Sequence, residues 1–376
     1  MEIFTTHVLP EVHDNDVNAR PIVKADAIKM ICVFRSHLQA PFLLSLLPHI
    51  VRHLTSGHVV IQTYAALCLE RFLNLKDKSP TGHMVARITK EDLNPHLQSI
   101  FSGLFAVLEN EDLPENDYAM KCIMRVLSVV GPDIAPITPL VIQHLTAALE
   151  KLCKSPVNPH FNHYLFECLA VLIRSCCSTP EAANAACSQF ETLLFPPFQS
   201  VLSQDVAELT PYVFQILAQL LSARPGKQSG LSAPYRALFP PLLSPMLWER
   251  SGNVPALTDL FRAYVVKGMA EIVSGNHLPG VLGVFQKLLA SKVARAKLLC
   301  LNLYLYSYIA NQLLCALLMS YISFVCVMLQ YAGDRCLCFQ AAGLTHREQS
   351  AEHSLRLYDH IMEPAAAPHA RANERQ

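Results

Sequence analysis

The sequence predicts an all-α protein, an α-solenoid in which antiparallel helix pairs stack side by side, and three observations predict it. First, one apolar pattern returns at a near-constant interval. Tyr64, Cys68, Leu69, Phe72 and Leu73 line up with Tyr118, Cys122, Ile123, Val126 and Leu127, then with Tyr164, Cys168, Leu169, Leu172 and Ile173, then with Tyr212, Ile216, Leu217, Leu220 and Leu221. The tyrosines advance by 54, 46 and 48 residues, and offsets 0, +4, +5, +8 and +9 share one broad face of a helix. Second, a proline followed six residues later by a large apolar residue alternates with that pattern, at Pro48/Leu54, Pro95/Phe101, Pro139/Leu145, Pro196/Leu202 and Pro241/Leu247. Those prolines lie 47, 44, 57 and 45 residues apart, the period of HEAT-type helical hairpins. Third, there are only 13 glycines in 376 residues, too few for the turns of a multi-stranded fold, and no strand signal competes.

Taken in chain order, the first 20 residues read as a helix, Ile3 to Val12, running into a polar link. A weaker copy of the repeat follows, with Met30, Ile31 and Phe34 in register and Asp26 where the others carry Tyr. Each later unit is expected to hold a first helix built around the proline, a turn, and a second helix built around the tyrosine. Proline is tolerated in a first turn, where its missing N–H has no partner anyway, and bends a helix further in; sequence leaves both placements open. Polar or breaker-rich connectors separate the units at 110–117, 155–159 and 224–230. Thr89 and Asp92 have capping-box spacing, and Ser178-Thr179-Pro180-Glu181 sets cap residues before a first-turn proline and an acid. Such hairpins bury their stripes only against neighbouring repeats, so a solenoid end needs a polar cap. None is expected at the start of this chain, which reads as part of a longer array.

Thirty basic residues balance thirty acidic ones, so no global field favours nucleic acid or an anionic membrane, and direct nucleic-acid binding is not expected. The 13 cysteines form no CxxC pair and lie mostly within apolar runs, as free thiols in a reducing compartment do. Met1-Glu2-Ile3-Phe4 carries an acid where a secretory leader carries a base. No Walker A loop, nucleophile elbow, HExxH or dinucleotide fingerprint occurs, and neither enzymatic activity nor a cofactor is expected. His160, Asn162 and His163 lack a Cys, Asp or Glu at ligand spacing and are expected to cap a helix start. Cys176-Cys177 and Cys336-x-Cys338 are two-ligand fragments at most, so no metal site is expected.

Residues 1–294 are therefore expected to form the solenoid. Between Leu298 and Ala332 there is no charged residue and no amphipathic period, and the stretch is long enough to cross a bilayer. Residues 295–333 are set apart on that ground, as a membrane helix or a segment outside the working fold. The mixed-charge, Ala/Pro-rich tail 334–376 is expected to be disordered.

Several stretches carry a more specific signal. They are Lys24-Ala25-Asp26-Ala27-Ile28-Lys29, His58-Val59-Val60 with Thr63-Tyr64-Ala65-Ala66, Lys121 with Ile123-Met124-Arg125, Pro159-His160-Phe161-Asn162-His163-Tyr164 with Phe166-Glu167, and Pro211-Tyr212-Val213-Phe214-Gln215. Two more are Leu247-Trp248-Glu249-Arg250 with Gly252-Asn253 and Pro255-Ala256-Leu257, and Gly283-Val284-Phe285-Gln286-Lys287-Leu288 with Ala290-Ser291-Lys292. In this ordered set, residues 15–294 resemble the exportin-2 (CAS) family of karyopherins, within the importin-β superfamily. The resemblance implies a HEAT solenoid that binds importin-α together with Ran in its GTP form and shuttles between nucleus and cytoplasm. It covers the middle of such a receptor: the family's N-terminal arch, with the main Ran-binding repeats, has no counterpart here, and its C-terminal repeats give way near Val293.

In karyopherins of this type the second helices line the concave surface. The offset +3 residues of the repeat, Leu67, Lys121, Glu167 and Gln215, and the +7 residues, Arg71, Arg125, Val171 and Gln219, lie beside or opposite the stripe. Their polar members, Arg71, Lys121, Arg125, Glu167, Gln215 and Gln219, are the candidate partner contacts. Trp248, the one tryptophan, and Arg250 join them as an interface anchor, with packing in a turn between repeats as the alternative for Trp248. The rival functions are a HEAT scaffold for another complex and a helical protein anchored in a membrane through 298–332.

Overall fold

The computed structural model describes residues 2–110, 114–226 and 230–290. Of the two compact units into which the chain divides, Met1–Ala310 and Asn311–Gln376, they belong to the first. The apolar run, the tail and Cys336-x-Cys338 lie outside the described residues.

A π-helical turn, Phe4–Val8, leads into α1 (Leu9–His13), followed by α2 (Pro21–Phe34), α3 (Ala40–His53) and α4 (Val59–Leu73). Strands β1 (Lys76–Lys78) and β2 (Met84–Ala86) precede α5 (Lys90–Leu93), α6 (Leu97–Glu109), α7 (Asp117–Val130), α8 (Thr138–Lys154) and α9 (Pro159–Cys176). The remainder is α10 (Pro180–Ser203), α11 (Thr210–Ala223), α12 (Ala233–Leu242), α13 (Val254–Ser274) and α14 (Leu278–Ala290). Two rows result. Helices α2, α4, α7, α9, α11 and α13 each pack on the next, and α3, α6, α8 and α10 form the parallel row. Within a unit α3 packs on α4, α6 on α7, α8 on α9 and α10 on α11, so the fold is the α-solenoid that the repeats predict.

The stripe is the core. Every residue at offsets +4, +5, +8 and +9 is buried in all four copies, from Cys68, Leu69, Phe72 and Leu73 through Ile216, Leu217, Leu220 and Leu221. The tyrosines at offset 0 are not in it. Tyr118 is 44% exposed and Tyr64, Tyr164 and Tyr212 are half-buried, while offsets +1 and +2 are buried in their place, as Ala65 and Ala66 and as Leu165 and Phe166. A phenol at the rim keeps its hydroxyl in water and lends its ring to the adjoining repeat.

The prolines occupy both of the expected settings. Pro139 lies in the first turn of α8 and Pro95 in the 3-10 turn before α6, whereas Pro48, Pro196 and Pro241 lie inside α3, α10 and α12. Thr89 and Asp92 form the expected capping box, the Thr89 amide donating to the carboxylate at 2.8 Å, and the Thr179 hydroxyl accepts from Ala182 N–H ahead of Pro180. Two expectations are corrected. Asn158, rather than His160 or Asn162, caps α9, accepting from the amides of His160 and Phe161 at 3.1 Å, because the cap residue precedes the first-turn Pro159. Asn162 is buried one turn in. A β-hairpin also exists: β1 and β2 pair antiparallel, Asp77 opposite Val85, with Gly82 at φ +85° in the turn. Arg87 clamps it, bonding both Asp77 carboxylate oxygens through Nε and the carbonyl of Leu38 through Nη1 at 2.7 Å. Alternation over three residues is too short to register as a strand in sequence.

Candidate functional site

Three of the candidate residues converge. Arg71 Nε lies 3.6 Å from one carboxylate oxygen of Glu70, and Lys121 Nζ and Arg125 Nε lie 3.9 and 3.7 Å from the other. Glu70 is only 2% exposed, while the side chains of Arg71, Arg125 and Lys121 are 46%, 31% and 27% exposed. Asn74, one turn on, donates to Glu70 Oε1 at 2.6 Å. One buried acid thus holds three cations of α4 and α7 on a shared flank, and the excess charge there is positive. Arg35 adds to it from the end of α2, donating to the Cys32 carbonyl at 2.7 Å. The Cys32 thiol, hydrogen-bonded to the Cys68 thiol and facing Arg35 and Arg71, is drawn down to about 7.

Glu70 did not emerge from the sequence pattern. It stands at offset +6, opposite the stripe, where a lone helix would face water. In the solenoid α2 and α7 flank α4 and close that side. A signal exists: the other residues at +6 are Met124, Ala170 and Ala218, none charged, and the two alanines are buried.

Charged residues at +3 act on the next repeat's tyrosine. Lys121 Nζ sits 5.5 Å from the centre of the Tyr164 ring, and Lys29, at the same offset in the weaker copy, sits 5.8 Å from that of Tyr64. Burial and the Glu167 carboxylate push the Tyr212 phenol up, and Phe166 stacks on the same ring at 5.0 Å. Gln215 is exposed, and Gln219 spends its amide on the Ala170 carbonyl at 2.7 Å, tying α11 to α9. Val171 is buried.

Trp248 is 5% exposed, donates its indole N–H to Leu242 at 2.8 Å and meets Phe261 edge-on at 5.8 Å. It packs in the α12–α13 turn, the alternative weighed for it, and leaves no face to serve as an anchor. Arg250 bonds both carboxylate oxygens of Asp205 at 2.6 Å and holds that carboxyl below its usual range, a clasp between the α10–α11 and α12–α13 turns. Among the described residues no three His, Cys, Asp or Glu side chains gather as a metal site.

These side chains join repeats or hold one cationic flank open to solvent. Together they make a repeat solenoid with a cationic flank on its second helix row. Residues 70–330 match the family model described as CAS/CSE protein, C-terminus, and residues 1–69 match that described as Cse1. The chain belongs to the CAS/CSE family. It is 42% identical to exportin-2 of Drosophila melanogaster over 291 residues, covering 77% of this chain and 29% of that protein. Against exportin-2 of Homo sapiens it is 40% identical over 293 residues, with the same two shares. It therefore spans under a third of the curated relatives it matches. Among solved structures it resembles the exportin Cse1 in its cargo-free, cytoplasmic state, with a TM-score of 0.70 and 26% identity over 88% of this chain and 32% of that one.

Proposed function

We propose that the chain forms part of a nuclear export receptor that binds importin-α together with Ran in its GTP form and shuttles between nucleus and cytoplasm. Family membership carries this reading, through 42% identity over 77% of the chain to a protein named as an exportin. The cationic flank of Arg71, Lys121 and Arg125 and the exposed Gln215 supply the partner contacts in the second helix row. Two partners on one row of stacked helices couple through its curvature, each favouring the pitch that suits the other.

Calorimetry tests this. Importin-α alone should bind the chain weakly, if at all, and Ran loaded with GTP more weakly still, because the repeats that the resemblance makes the main Ran contacts have no counterpart in it. Tight binding that ignores Ran, or a pull-down from nuclear extract that recovers a consistent partner but no transport factor, would refute it.

A further inference from the structure

A pair of thiols bridges the joint between two repeats. Cys177 follows the last residue of α9, and Cys187 stands two turns into α10. Their sulfurs are 3.6 Å apart, ten residues apart in sequence. The turn between them is built to hold this geometry, since Thr179 caps α10 and Pro180 opens it. Both thiols are free, Cys177 half-exposed and Cys187 fully buried. Neighbouring Cys176 turns elsewhere, its sulfur 3.4 Å from the Thr138 hydroxyl. Helix α9 ends one helix pair and α10 begins the next, so a bond here fastens successive units of the solenoid.

We propose that Cys177 and Cys187 are a redox-modification site, forming a reversible disulfide that locks the α9–α10 joint when a small hydroperoxide is present. The half-buried Cys177 meets the oxidant: it passes its proton to the Cys187 sulfur across their 3.6 Å contact, its own sulfur attacks the peroxide oxygen, the O–O bond breaks, and the alkoxide or hydroxide leaves and is protonated by solvent. Cys187 then attacks the resulting sulfenic sulfur, and the expelled hydroxide leaves with the Cys187 proton as water. Two thiols lose two electrons and the hydroperoxide gains them. The S–H bond from Cys177 draws the Cys187 thiol down, Arg224 and Lys267 add to this and Glu191 opposes it, while the same bond and burial push Cys177 up, so Cys187 is the resting thiolate that takes the Cys177 proton. Closing 3.6 Å to the ~2.05 Å of a disulfide needs about 1.5 Å of side-chain movement. A thiol reductant reverses the step.

The test oxidises the full chain with hydrogen peroxide under native conditions and digests it after glutamate. Cleavage at Glu167, Glu181 and Glu191 leaves Cys187 on one peptide, 182–191, and Cys168, Cys176 and Cys177 on another, 168–181. The expected product is these two peptides joined, released by dithiothreitol, retained in Cys176→Ser and absent from Cys177→Ser and Cys187→Ser. Hydrogen exchange across 174–190 should slow by roughly a hundredfold, the effect of cross-linking a loop of about ten residues. Sulfinic acid on Cys177 without linkage, linkage through Cys176, or linkage that leaves exchange unchanged would each overturn the proposal.

Discussion

Replacing Glu70 by glutamine tests the electrostatic centre of the candidate site. Glutamine keeps the shape and can still accept from Asn74, so the change isolates the charge. Three cations at 3.6, 3.7 and 3.9 Å then lose their common counter-ion. Removing one partner of a fully buried ion pair costs about 3–5 kcal/mol. Here the cations left behind are 27–46% exposed and can turn into water, which relieves about half of that. A loss of ~2 kcal/mol is expected, most of it repulsion among Arg71, Lys121 and Arg125. Urea unfolding followed by circular dichroism measures it as a lower midpoint. Adding Lys121→Met to Glu70→Gln should restore ~1 kcal/mol, the scale of coupling expected between contacting residues. A midpoint for Glu70→Gln unchanged or raised, or a double variant no better than the single one, would refute the reasoning.

Two further outcomes follow from the packing. Burial, with Lys24 and Arg52 nearby, holds the His53 imidazole down to about 4; its Nε2 pairs with the Val12 carbonyl at 3.0 Å and its Nδ1 has no partner. Because the folded value lies below the unfolded ~6.5, the unfolded chain binds the extra proton, so stability is intact above pH ~6.5 and declines toward pH 4. The loss is up to ~3 kcal/mol, read as a urea midpoint that falls between pH 7 and pH 5 and falls less in His53→Gln. Gly103 lets α6 approach α3, since a β-carbon there would sit 2.7 Å from Leu54 Cβ. Gly103→Ala should therefore cost ~1–3 kcal/mol despite the better helix former, and an unchanged melting temperature would contradict that.

The repeat was legible because its signal is local. Offsets +4, +5, +8 and +9 depend only on helical periodicity, and each of those positions is buried, as the pattern of Cys122, Ile123, Val126 and Leu127 requires. The Thr89–Asp92 box and the Thr179 cap rest on side chains reaching two or three residues along the chain, which spacing records directly. The candidate site was half legible. The flank that Lys121, Arg71 and Arg125 share follows from helix geometry, but Glu70 between them does not, because a helical wheel has one buried face and a stacked helix has several.

By itself, then, the sequence determined the fold class, the repeat register and the faces that fill the core, all consequences of 3.6-residue periodicity. Only the tertiary structure decided which remaining flanks the neighbouring repeats would cover. That decision buries Glu70, sets Tyr118 at the rim, spends Gln219 on Ala170, closes Trp248 into its turn and brings Cys177 to Cys187. Each of these turns on side chains meeting across helices or turns, and no single helix carries the information for a surface that another helix supplies.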